Sequence, residues 1–145
     1  MSTRLGKYFM AEEFCQSEWA RRHKVVINPT EQVLHNLADL VLNILDPLRE
    51  EVGPIHILSG YRPPKVNYGV GGAKTSQHVY GQAADIRCNR ISAAELFDTI
   101  LRMRLPFDQV IEEFGQWVHV SYGPRDRGQA LLARKVRGRT VYSPV

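Results

Sequence analysis

The 145-residue chain predicts an α+β fold: helices first, then a mainly antiparallel sheet with one helix inserted among its strands. Three observations carry this. An apolar helical repeat runs from Val33 to Leu48. Short β-rich runs follow it, at "IHILSG", "AADIR" and "QVIEEFGQWVHVSY". A capped helical segment, "SAAEL", separates the second run from the third.

The elements are justified in chain order. The first 25 residues predict two short helices, around Ala11–Gln16 and Ser17–His23. "NPTEQ" opens the long helix. Asn28 or Thr30 can cap it, Pro29 suits a first turn, and Glu31 sets a carboxylate near the positive end of the dipole. Val33, Leu34, Leu37, Leu40, Val41, Ile44, Leu45 and Leu48 then recur at helical spacing, which predicts core burial and an end near Arg49, before Gly53-Pro54. "IHILSG" predicts a strand closing at Gly60, and Ala83–Arg87 a second. Ser92 and Glu95 form a capping box, opening a helix to about Met103 that Pro106 stops. Two β-rich runs around Gly115-Gln116 predict a hairpin. The basic tail predicts one short strand, Thr140–Tyr142. With no repeat, low-complexity tract or linker, residues 1–145 read as one domain.

Composition narrows the classes. At 43% hydrophobic and 23% charged residues, the chain reads as an ordinary globular protein. No apolar run reaches the roughly 18 residues of a membrane span, so no membrane insertion is expected. The N-terminal "MSTRLGKYFMAEEF" lacks the apolar core of a secretory signal, which predicts synthesis in the cytoplasm and departure by lysis or a dedicated route. Cys15 and Cys88 make no disulfide scaffold and read as reduced thiols. The net charge of +4 suits an anionic partner without choosing among them.

The chemistry concentrates in "GGAKTSQHVYGQAADIRC" and "WVHVSY". Strand alternation turns Val118 and Val120 toward a core, and Trp117, His119 and Ser121 the other way. It likewise sets Asp85 opposite in facing to Ala84 and Ile86. His78 lies in the loop before Asp85, and Gly81, Ala83 and Ala84 let backbone pass close to a site. Two imidazoles and a carboxylate form a recurrent catalytic zinc shell whose fourth position takes water. A bound water acidified toward neutrality is a nucleophile. The spacing alone leaves a second reading open, in which His78 and Asp85 bond to backbone at a loop–strand junction.

"SGYRPPKVN", "GGAKTSQHVYGQAADI" and "WVHVSY", in that order, resemble the zinc D-Ala-D-Ala carboxypeptidases of the peptidase M15 family, most of all its small phage and prophage branch. The resemblance extends to "AEEF", "NLADLVLNILDPLREEVG" and "RGQAL". It implies a hedgehog/DD-peptidase-like α+β fold with flanking helices, and one Zn2+ per chain on His78, Asp85 and His119. It implies peptidoglycan peptides as substrates. Arg62 matches the family arginine of "SGYR", which implies a grip on the substrate carboxylate or on the developing oxyanion. Tyr61, Ser76 and Gln77 share these motifs and are candidates either for substrate contact or for shaping the loop.

A peptidase of this kind needs a general base. Some members carry a glutamate three residues before the last zinc histidine; here that position is Gln116. The branch resembled points instead to Glu113, on the preceding strand. Turn geometry leaves Glu112 open. A Gly115-Gln116 turn sets Glu112 opposite His119, whereas a Gly115–Trp117 loop sets Glu113 there.

The remaining candidates read as bland. His23, His35 and His56 lack partners, and Cys88 faces away from Asp85. Arg125, Arg127, Arg134, Arg137 and Arg139 read as a solvated basic edge. The expected protein is a monomeric zinc metallopeptidase of the D-alanyl-D-alanine carboxypeptidase or endopeptidase class, acting on the wall after release. A rival of another class is a non-catalytic zinc-bearing wall-binding or virion module, kept open by Gln116. Nucleic-acid binding is not expected, since the basic tail has little aromatic interleaving.

Overall fold

Whether the long apolar repeat forms one helix is decided at Pro47, which has no N–H to give. The computed structural model describes residues 3–145. In it α2 (Glu31–Leu40) passes into a π turn (Val41–Leu45) and then α3 (Asp46–Val52). The widened turn absorbs the proline, and Asn43 Nδ2 donates to the Asp39 carbonyl at 2.8 Å. The helical run therefore continues past Arg49. Of the two cap candidates Thr30 is the one used, its hydroxyl accepting from Val33 N at 3.2 Å, so Pro29 lies ahead of the helix. Leu37, Leu40, Val41, Ile44, Leu45 and Leu48 are fully buried along one stripe. Asp46 accepts from the backbone of Lys7 and Tyr8, at 2.7 and 3.3 Å, and ties the N-terminal segment to this helix.

Before it come a 3₁₀ turn, Ala11–Phe14, and α1 (Glu18–Arg22), capped by Ser17. After it come β1 (Ile55–Ser59), α4 (Pro64–Gly69), a 3₁₀ turn (Gln77–Tyr80), β2 (Ala83–Cys88) and α5 (Ala93–Arg102) with its Ser92–Glu95 capping box. Four strands close the chain: β3 (Gln109–Glu113), β4 (Trp117–Ser121), β5 (Gln129–Val136) and β6 (Arg139–Pro144). The sheet order is β1-β2-β4-β3-β5-β6, antiparallel except for β3 beside β5. The fold is α+β, as the element order predicts.

One sheet face meets the helices. Ala84, Ile86, Val110, Val118 and Val120 pack there with the α2–α3 stripe and with Leu96 and Ile100 of α5. The opposite face carries Asp85, Ile111, Glu113, Trp117 and His119, together with a small apolar cluster of Ile111, Leu131 and Ala133.

Three corrections follow. α4 escapes sequence reading because Pro63-Pro64 looks like a breaker, whereas a proline at the first helical position is favourable. β5 lies in what reads as a charged tail, and its pairing with β3 is parallel and non-local. The β3–β4 turn is three residues, Phe114–Gln116, with Phe114 and Gly115 at φ 58° and 70°. This differs from both expected turns and sets Ile111 opposite His119, with Glu113 opposite Trp117.

Leu40 has no exposed surface, so Leu40→Ala should cost about 2–5 kcal/mol. Urea unfolding should show it as a lower midpoint at unchanged slope.

Candidate metal centre

β2 and β4 pair so that Asp85 stands directly opposite His119. His78 reaches the same point from the 3₁₀ turn, which Ser76 opens by accepting from His78 N at 3.3 Å. One ligand atom from each of His78, Asp85 and His119 lies within 4.8 Å of the others, and among the described residues no other such group exists.

The tautomer of His78 follows from its surroundings. Nδ1 lies 2.7 Å from the Gly60 carbonyl, which can only accept, so Nδ1 carries the proton. Burial drives His78 toward its neutral form, against the pull of Asp85. Nε2 therefore holds a lone pair, and it faces Asp85 Oδ1 at 3.3 Å. Burial alone would raise the Asp85 carboxyl, but His78 and His119 outweigh it and hold it well below its ordinary value. His119 Nδ1 lies 3.0 Å from the same oxygen. His78 Nε2, Asp85 Oδ1 and His119 Nδ1 thus converge on one point. A cation resolves that arrangement, and nitrogen with carboxylate oxygen suits zinc. The Gly60 carbonyl supplies the outer hydrogen bond that orients a ligating imidazole.

The cleft around this cluster has a volume of about 410 Å³. Glu113 lines it. Burial and the Asp85 charge push its carboxyl above the ordinary value, against the pull of His119, Trp117 and Arg62. Arg62 lines it too: burial lowers its pKa, while the charges of Asp85 and Glu113 favour its cation. Its NH2 group donates to Ser76 Oγ at 3.3 Å, and its buried Nε has no partner among the described residues. Gln77 lines the cleft and accepts from Arg127 at 3.3 Å.

Two candidates lie elsewhere. Glu112 projects from the other sheet face and takes two hydrogen bonds from Arg134, at 2.6 and 2.8 Å. It is 3% exposed and does not line the cleft. Tyr61 is 7% exposed in the main core, where its backbone N donates to the Phe14 carbonyl, and it too lies outside the cleft lining. Of the histidines set aside, His23 stacks on Trp19 and His56 lines a separate groove of about 540 Å³ beside α1. Cys88 points to the Val52 carbonyl, and burial pushes the Cys15 thiol up to about 11. Both thiols are free.

Sequence reasoning missed the rest of the cleft wall. Arg125, Arg127 and Tyr142 line it, although the tail reads as a solvated edge. Asp108, with no exposed surface, accepts from the backbone N, Nε and NH2 of Arg127 at 2.9–3.0 Å. The available signal was the lone carboxylate after Pro106, in an otherwise apolar approach to β3.

Two imidazoles and a carboxylate gathered at one point, with a spare carboxylate and a guanidinium beside them, are the equipment of a metal-dependent hydrolase. The chain belongs to the peptidase M15 family, whose model matches residues 7–121. That membership implies a metallopeptidase. No curated protein matches the sequence. No helix among the described residues is long and apolar enough to cross a membrane.

Removing any one donor, as His78→Ala, Asp85→Ala or His119→Ala, should reduce the zinc retained after dialysis, read by elemental analysis. Gly60→Ala provides a subtler check. A Cβ there would meet Phe14 backbone at 2.7 Å and displace the carbonyl that orients His78. It should weaken metal binding by about 10–100-fold without touching a ligand.

Proposed function

We propose that the chain is a zinc peptidase of phage or prophage type. It cleaves D-alanine-containing bonds of peptidoglycan stem peptides, as a carboxypeptidase or a cross-link endopeptidase, and acts as a single chain. The observation that carries this reading is the convergence of His78, Asp85 and His119 in one cleft with Glu113 and Arg62, in a chain of the M15 family.

His78, Asp85 and His119 would hold the metal. Zinc bound there supplies Lewis acidity, which makes water a better acid and a carbonyl a better electrophile. Glu113 takes the proton of the attacking water as its oxygen bonds to the peptide carbon. When the C–N bond breaks, Glu113 passes that proton to the departing amine. Its partly desolvated carboxyl suits a group that must both accept and return a proton. The Arg62 guanidinium, steadied by Ser76, donates to the developing oxyanion. Glu112, spent on Arg134, has no part in the chemistry.

The test is mass spectrometry of purified peptidoglycan after incubation with the protein, with His119→Ala as control. Loss of one alanine from pentapeptide stems marks a carboxypeptidase, and conversion of dimers to monomers marks an endopeptidase. No product, with zinc bound, would overturn the reading in favour of a binding module. Glu113→Gln should lower kcat by about 10²–10⁴-fold with zinc retained, whereas Glu112→Gln should leave kcat close to wild type. Arg62→Ala should cost about 10²–10³-fold in kcat.

A further inference from the structure

One wall of the cleft has no role in this chemistry. It comes from residues 122–145, beyond the stretch the family model matches, and contributes Arg125, Arg127 and Tyr142. The sheet register explains how a strand at the far edge takes part. Glu113 pairs with Ala133, and Ala133 with Tyr142, so the three share one face in one row. Neighbouring strands stand about 4.8 Å apart, which sets Tyr142 roughly 10 Å from Glu113 at the backbone. Only the small Ala133 side chain lies between, and a phenol can reach over it. Tyr142 does so: it lines the cleft, and the Glu113 charge adds to burial in raising its pKa.

The two arginines differ in what they have left to give. Arg127 is committed. Asp108 neutralises it from the buried side, and its remaining contact holds Gln77. Those bonds brace the loop between β4 and β5. Arg125, two residues earlier, is exposed and makes no hydrogen bond or ion pair among the described residues. Arg62 is occupied at the reacting end, where it feels the charges of Asp85 and Glu113. Asp85 belongs to the candidate metal donors, and among the described residues Glu113 is the only other carboxylate lining the cleft. Arg125 is thus a cation on a braced loop, at the mouth of a polar cleft, with no ion-pair partner among the described residues.

We infer that Arg125, with the Tyr142 hydroxyl, forms a carboxylate-binding subsite, separate from the metal donors and Arg62, that selects peptides carrying a free carboxylate. The inference rests on the peptidase reading for the substrate class, but its test does not need turnover. The carboxylate has two sources, the peptide C-terminus or an acidic side chain. A guanidinium takes either in the same bidentate way, and a phenol O–H adds one more donor.

The experiment is fluorescence anisotropy on the zinc-loaded full chain. The probes are labelled pentapeptides ending in D-Ala-D-Ala, carrying one acidic side chain, with backbone amides near the C-terminus reduced so that nothing is cleaved. Three versions are compared: both carboxylates free, the C-terminus amidated, and the side chain amidated. Wild type should lose about tenfold in affinity for one amidated version, which names the source. Arg125→Ala and Arg125→Gln should bind all three alike, and Tyr142→Phe should shrink the difference. Zinc content and melting temperature should stay unchanged in each variant. Equal binding of the three peptides by wild type, absent binding, or discrimination surviving in both Arg125 variants overturns the subsite. Discrimination in a protein that releases no wall product would keep the subsite and remove the peptidase reading.

Discussion

Asp85 and His119 face each other across an antiparallel strand pair, and the cleft is organised around that register. Direct cross-strand partners hold their Cβ atoms about 4.5–5.5 Å apart, near enough to share one ion. Slipping the pair by one residue would turn Asp85 toward the helices and bring Ala84 or Ile86 to the cleft face. The register is held by the other face, where Ala84, Ile86, Val118 and Val120 are wholly buried. Apolar burial behind the sheet thus aims the polar donors in front of it. His78 is the one donor outside this pair, and the Gly60 carbonyl substitutes for a strand in orienting it.

Much of this was legible because it depends on local rules. Alternation along "AADIR" and "WVHVSY" is enough to assign Asp85 and His119 a shared kind of face, the short loop before Asp85 brings in His78, and the family resemblance implies all three as ligands. The Ser92–Glu95 box and the apolar stripe of α2–α3 are likewise local. Legibility ends where a feature depends on a turn of unknown length or on a distant partner. Glu113 and Glu112 exchange roles with a one-residue change in the hairpin loop, and Phe114 at positive φ is not a position the sequence advertises. Arg134 claims Glu112 from β5, a strand whose parallel pairing with β3 no neighbouring residue signals. Tyr61 misleads for a related reason: it belongs to a motif whose next residue, Arg62, turns into the cleft while Tyr61 itself seals the core.

The cleft also distributes its charge so that few groups are left uncompensated. Asp108 answers Arg127, and Asp85 is drawn down by two imidazoles. Buried ionised groups are tolerated only with such partners. Besides Arg125 at the mouth, the groups among the described residues that remain under-satisfied are Glu113 and Arg62, both partly desolvated and both beside the donor cluster. Perturbed ionisable groups gather where chemistry is done, and these two do so within one 410 Å³ space.

The parallel pairing of β5 with β3 has a consequence for the order of assembly. All three donors, Glu113 and Arg62 precede residue 122, whereas β5 and β6 follow it. A parallel strand joined by a long connection cannot lead that assembly, because its loop-closure cost falls before its contacts repay it. The wall then docks on an edge, beside β3, that is already in place. The strands that carry Asp85 and His119 can therefore pair while the cleft still lacks one side, and the wall closes on them from the outside.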